Sequence, residues 1–194
     1  MRTAAIARKT NETDIKITLN LDGVGDAKSS TGVGFFDHMI AALAKFARFN
    51  IELDCKGDLQ VDEHHTVEDC GIALGEAIAQ ALSDKRGITR TAHAYVPMDE
   101  ALAFCALDIS GRGMLAFVGS LPREMIGGMN AQLAQEFFRA LASKAGITLH
   151  MSVTGKNAHH MVEALFKAAG LALGNATALD PRISGIVPST KGVL

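Results

Sequence analysis

The sequence predicts an α+β protein of two repeated half-domains, each a mainly antiparallel sheet with two helices on one face. Three observations lead there. Short segments alternate apolar and polar residues with the period of a half-buried strand. Longer segments between them repeat apolar residues every three or four positions, as a surface helix does. The unit His-His-x-x-Glu occurs twice, at 64–68 and 159–163, with 95 residues between copies, each time opening the last helix of a strand–helix–strand–helix series.

Taken in order, TDIKITLNLD (13–22) alternates Ile15, Ile17, Leu19 and Leu21 with polar residues and predicts a strand. GVGDAKSSTGVG reads as a loop rich in glycine and serine. Residues 36–48 then place Phe36, Ile40, Leu43 and Ala47 on one helical face, with Asp37 as the expected N-cap. FNIELDC (49–55) is a second alternating strand. The next helix begins near Asp62 and puts Val67, Cys70, Leu74, Ile78 and Leu82 inward, ending before Gly87. In the second half, residues 93–118 predict three strands, broken at DISGRG. A helix follows from about Ala131 to Ala145, stopped by Gly146. ITLHMSV (147–153) is a strand, and the last helix starts at Asn157. The join near Gly87 to Thr91 divides the chain into a first half-repeat, 1–90, and a second, 91–194.

Composition narrows the function classes. A net charge of -2 gives no electrostatic reason for a nucleic-acid partner or an anionic membrane surface. With no tryptophan and one tyrosine, Tyr95, the chain has few platforms for stacking single-stranded bases. Cys55, Cys70 and Cys105 are odd in number, widely spaced and set in apolar runs, which predicts buried free thiols. The opening residues turn polar too soon for a secretory signal, and no apolar run reaches membrane-spanning length. A reducing cytoplasm is the expected compartment.

The histidine units carry the chemistry. Residues four apart share a helix face, whereas neighbours diverge by roughly 100°. His64 with Glu68, and His159 with Glu163, can therefore each grip one ion, while His65 and His160 look elsewhere and are free to complete the other site. Each preceding helix offers one more ligand, His38 in GFFDHM and Glu136 in QEFFRA. The expected sites are His38, His64, Glu68 and His160, and His65, Glu136, His159 and Glu163. Imidazole and carboxylate without thiolate fit manganese, iron or zinc, and the carboxylates favour manganese. His93 is read as structural. His150, on the strand before the second unit, is either structural or an orienting partner for a ligand imidazole.

With RKTNET (8–13), GFFDHM (34–39), DEHHTVEDCGIALGEA (62–77), PMDEALA (97–103), DISGRG (108–113), GKNAHHMVEALFKA (155–168) and STKG (189–192), the chain resembles the imidazoleglycerol-phosphate dehydratase family. The resemblance implies four-stranded sheets of the ribosomal protein S5 domain 2-like kind, two manganese ions per active site, and an octahedral homo-oligomer of trimers with sites between subunits. It places the acid/base role on Glu12 and the phosphate-binding role on Arg90, Arg112, Lys167, Ser189, Thr190 and Lys191. Ala42 and Phe46 stand where relatives often carry glutamine and histidine, which implies a drier or reshaped pocket wall. At Glu136 many relatives carry histidine.

The implied reaction removes water from imidazole glycerol phosphate to give imidazole acetol phosphate, a small-molecule conversion that involves neither nucleic acid nor membrane. Metal ions favour the anionic ring, which expels the side-chain hydroxyl before Glu12 takes a carbon proton. Two other readings fit the His-His units. A binuclear phosphate-ester hydrolase would want a bridging ligand, for which no residue is obviously placed. Ions that merely staple an oligomer would leave Glu12 and the basic set unexplained.

Overall fold

The computed structural model describes residues 1–194. The first half contains β1 (Thr3–Lys9), β2 (Thr13–Asn20), β3 (Ala27–Ser30), α1 (Gly34–Ala47), β4 (Asn50–Gly57) and α2 (His64–Leu82). The second repeats the series as β5 (Thr91–Met98), β6 (Ala101–Asp108), β7 (Met114–Val118), α3 (Leu133–Ala145), β10 (Thr148–Thr154) and α4 (Ala158–Thr177). A small hairpin, β8 (Met125–Ile126) and β9 (Met129–Asn130), precedes α3, and a 3-10 turn, Pro181–Ile183, leads into the tail. No helix is long and apolar enough to cross a membrane.

Each half forms one four-stranded sheet, in the orders β1-β2-β4-β3 and β5-β6-β10-β7. Three strands of each are antiparallel, and the fourth joins parallel: β3 beside β4, β7 beside β10. The alternation seen in the sequence sets the register. Ile17 lies opposite Leu53, and Cys105 opposite Met151, so their apolar rows face inward together. All three cysteines are buried and free. Burial pushes the Cys105 thiol up to about 12, which leaves it chemically quiet.

Two segments differ from expectation. The stretch read as a glycine and serine loop contains β3, whose side chains are all partly or wholly exposed and show no apolar alternation. Its place comes from pairing with β4, with Ser29 opposite Leu53. Asp37 is not the N-cap of α1, because Gly34 already begins the helix. Instead its carboxylate accepts from the hydroxyls of Ser29 and Thr31 and from the Thr31 backbone N–H, tying β3 to the first turn of α1. Strand β1 lacks a strict apolar alternation in its sequence; its outward residues mix Lys9 with alanine and threonine. The expected helix stops hold: α3 ends at Gly146 in the left-handed region, and Asn157 caps α4 by accepting from the His160 N–H.

The helices pair across the halves. α1 packs on α4 and α2 on α3, so four helices lie between two outer sheets around one continuous core. Glycine makes this possible. A Cβ on Gly170 or Gly174 of α4 would lie 2.5 or 2.6 Å from the carbonyl oxygen of Leu43 or Ala47 on α1. Gly71 and Gly75 of α2 meet the Phe137 and Leu141 carbonyls of α3 in the same way, each at 2.6 Å. Gly170 against Leu43 and Gly75 against Leu141 are equivalent dockings, and the 98 residues from Leu43 to Leu141 also separate His38 from Glu136. Glu136 is therefore the α3 counterpart of His38.

Candidate active site

Crossed pairing decides which ligands meet. At the N-terminal end of α4, His38 reaches from α1 to within 3.3 Å of Glu163, and His159 comes to 3.1 Å of the same carboxylate oxygen. The ligand atoms of His38, His159 and Glu163 all lie within 4.8 Å of one another, close enough for one ion. At the other end of the molecule's repeat, Nε2 of His64 stands 3.6 Å from Glu68. Glu136 lines the same cleft of ≈ 330 Å³ as His64, together with Asp62, Glu63 and Arg123. Its carboxylate is held by Arg139, one turn along α3.

This corrects the expected grouping. His38 joins His159 and Glu163 rather than His64, Glu68 and His160; Glu136 faces His64 rather than His65, His159 and Glu163. The reason is topological: each first helix docks on the last helix of the opposite half, which local spacing does not reveal. No hydrogen bond or ion pair links the two His-His units within the chain. His93 and His150 lie exposed on the outer face of the second sheet, both opposite Ala106, away from any ligand.

Glu163 shows competing effects. Burial, with only 9% of its side chain exposed, opposes ionisation; the Lys167 ammonium at 2.6 Å, with His38 and His159, outweighs it and holds the carboxyl below its ordinary range. Lys167 also lies 5.6 Å from the centre of the Phe46 ring. Ala42, Phe46, His38, Glu163 and Lys167 together line a cleft of ≈ 420 Å³. The two departures noted in the sequence thus form an apolar wall beside the ligands.

The divergent imidazoles each have a carboxylate support that the sequence reading did not single out as such. Nδ1 of His65 meets Asp58 at 3.1 Å, and Nδ1 of His160 meets Glu100 at 2.8 Å. These bonds fix each ring and raise both histidines above the ordinary value, Asp58 and Glu100 being the main causes. Nε2 is thereby the nitrogen left to face a ligand. Glu100, bonded to His160 and to the backbone N–H groups of Asn157 and Lys156, is lowered to about 2. Its repeat counterpart is Glu12: each immediately precedes the second strand of its sheet. Glu12 carries no such bonds to its carboxylate, is half-exposed, and stands 3.7 Å from Nε2 of His65. One hairpin tip is a fixed cap; the other carries a carboxylate without backbone partners.

The expected phosphate ligands separate into two places. Lys167 lies beside Glu163. Arg90, in the left-handed region at φ 75, donates to both oxygens of Asp108 and to the Pro188 carbonyl. Arg112 is 4.0 Å from Asp108, and the tail carrying Ser189, Thr190 and Lys191 ends beside Gly111. This cluster sits at the far end of α4, where the Arg90 N–H donates to the Ala176 carbonyl. The helical rise from His159 to Ala176 is about 25 Å. Strand β6 gives the same span of about 25 Å from its Glu100 end to its Asp108 end.

Fold and site together define a duplicated α+β enzyme with an imidazole–carboxylate cluster whose ligand atoms are close enough to hold an ion. A family model described as imidazoleglycerol-phosphate dehydratase matches residues 31–173. Relatives bearing that name include one from Gluconacetobacter diazotrophicus, 55% identical over 100% of this chain and 98% of its own, and one from Acidiphilium cryptum, 54% identical over 100% and 99%. Crystal structures of the dehydratase from Staphylococcus aureus and Pyrococcus furiosus superpose with TM-scores of 0.83 and 0.84, each at 35% identity; they cover 92% and 97% of this chain, and 99% and 100% of theirs. The chain belongs to the imidazoleglycerol-phosphate dehydratase family. It is a hydro-lyase of histidine biosynthesis, removing water from imidazoleglycerol phosphate.

Proposed function

We propose that the dehydration is manganese-dependent, with two ions per active site, and that each site is completed between subunits of an octahedral homo-oligomer built from trimers. The observation that carries this reading is the convergence of His38, His159 and Glu163. Two imidazoles and a carboxylate without thiolate suit manganese, iron or zinc, and the further carboxylates Glu68 and Glu136 favour manganese. His64, Glu68 and Glu136 are the corresponding set of the other half, with His65 and His160 contributed to sites they do not belong to by helix face. The 25 Å gap supports sharing between subunits. A substrate of one five-membered ring and a three-carbon phosphate is far too short to reach from His159 to Arg90 of the same chain.

Held by His38, His159 and Glu163, manganese would lower the pKa of a ligated imidazole nitrogen and so favour the electron-rich ring from which the neighbouring hydroxyl can leave. Arg90, Arg112, Lys167, Ser189, Thr190 and Lys191 hold the phosphate, the arginines through forked donors and the lysines as point charges. Asp108 now shares both arginines and yields them to the phosphate. Glu12 removes the remaining carbon proton; with the lost hydroxide this makes one water, and the enol left behind becomes the ketone of imidazole acetol phosphate. Such a placed base contributes about a hundred- to ten-thousandfold. A cytoplasmic location belongs to the same reading, since three free buried thiols suit a reducing compartment.

The test uses chelated protein and imidazole glycerol phosphate. Keto product is expected only after manganese is restored, and Glu12→Gln, loaded with manganese, is expected to form almost none. Full-rate product from the metal-free protein would sink the proposal.

A further inference from the structure

The β1–β2 hairpin that carries Glu12 is fastened to α2 by a buried polar cluster. The Thr13 hydroxyl donates to Asp69 at 2.5 Å, and the Arg8 guanidinium lies 2.7 Å from the same carboxylate oxygen. Arg8 stands on one strand of the hairpin and Thr13 on the other, so Asp69 holds both. Thr10 closes the tip between them, its hydroxyl accepting from the backbone N–H groups of Glu12 and Thr13. Thr13 and Asp69 are 3% and 7% exposed. Burying such a pair is costly in desolvation, and apolar residues of similar volume commonly stabilise a fold as well or better.

The second half of the molecule makes that comparison within one chain. The hairpin positions are offset by 88 residues and the α2 and α4 positions by 95. Arg8, Thr13 and Asp69 therefore correspond to Val96, Ala101 and Ala164. All three are buried, and the same strands and helix pack there without a polar group. The architecture does not need the cluster. It occurs in the half where the backbone at the tip is held, by Thr10 and by the Asp58 N–H that donates to the Glu12 carbonyl, but the Glu12 carboxylate has none of the backbone bonds that immobilise that of Glu100.

We propose that Arg8, Thr13 and Asp69 are positioning residues that fix the height and angle of the Glu12 carboxylate over His65. The proposal rests on the acid/base reading of Glu12. Without the clamp the hairpin can rock on the helix, and misplacement of a catalytic group by about 1 Å costs on the order of a hundredfold in rate.

The experiment grafts the second half's solution onto the first, as Arg8→Val/Thr13→Ala/Asp69→Ala, beside the milder Thr13→Val and Thr13→Ser. Each holoenzyme is measured for kcat, KM, manganese affinity and melting temperature. The graft is expected to melt no lower than the parent, bind manganese equally and keep KM within about twofold, while kcat falls about ten- to a hundredfold. Thr13→Val is expected to lose part of this, and Thr13→Ser to recover most of what Thr13→Val loses. Unchanged kcat in both the graft and Thr13→Val overturns the proposal, as does a loss matched by weaker manganese binding or by unfolding below the assay temperature. Glu12→Gln keeps the two failures apart: full activity there removes the role of Glu12 itself, and the clamp's role with it.

Discussion

Glu163 brings together three side chains of the candidate site. It joins α4 to His38 of α1, opposes His159 one turn earlier, and neutralises Lys167 one turn later. Removing its charge while keeping its shape should therefore loosen the ion and free the lysine together. Glu163→Gln is expected to weaken manganese binding by at least about a hundredfold, the upper end of what losing even an outer partner costs. Calorimetric titration of the chelated protein reads this directly, and wild-type affinity would remove the triad as an ion site. At this scale the sequence was informative where side chains repeat. The duplicated units exposed His64, Glu68, His159 and Glu163 because helix geometry fixes residues four apart. Asp58 and Asp69 were not recognised as supports, since a lone aspartate gives no sign of what it will be folded against. Glu100 lay inside a quoted motif, but only its hydrogen bonds reveal it as a locked counterpart of Glu12.

Among the elements, the glycines at the helix crossings control where ligands stand. A methyl group at Gly170 must push against the Leu43 carbonyl on the backbone of α1, five residues from His38. Gly170→Ala is expected to cost about 1–3 kcal/mol, which lowers the melting temperature by about 2–4 °C per kcal/mol in a chain of this size. Gly34→Ala, where a Cβ meets nothing within 4 Å, is expected to stay within about 0.5 kcal/mol. Thermal denaturation followed by circular dichroism separates the two, and equal melting would show that α1 can move aside. Strands with one apolar row were legible, because β2, β4 and β10 write their burial as strict alternation. β3 was not, because it is a short edge strand whose position comes from Asp37 and β4 rather than from its own residues. GIALG and GLALG, which mark the close crossings, were present in the sequence. Which helix each would meet depends on the crossed topology, and the ligand grouping failed there for the same reason.

Over the whole molecule, the candidate ion ligands, with Lys167 beside them, and the cluster of Arg90, Arg112 and the tail occupy opposite ends of α4 and β6. If subunits complete one another, variants broken at opposite ends should repair each other. Arg90→Ala and His159→Ala are each expected to be inactive, yet co-expressed in equal amounts they should recover about a quarter of the sites, those drawing an intact arginine from one subunit and an intact histidine from another. Activity of the purified hybrid assemblies reads this, and hybrids as inactive as either parent would rule out sharing between these two residues. The crossed packing has a last consequence for any attempt to divide the protein. Severing the backbone at the join near Gly87 would leave His38 on one fragment and both its companions on the other. Neither fragment could hold a cation with that trio until the two had found each other again, so reassociation of the pieces and recovery of ion binding should be a single event.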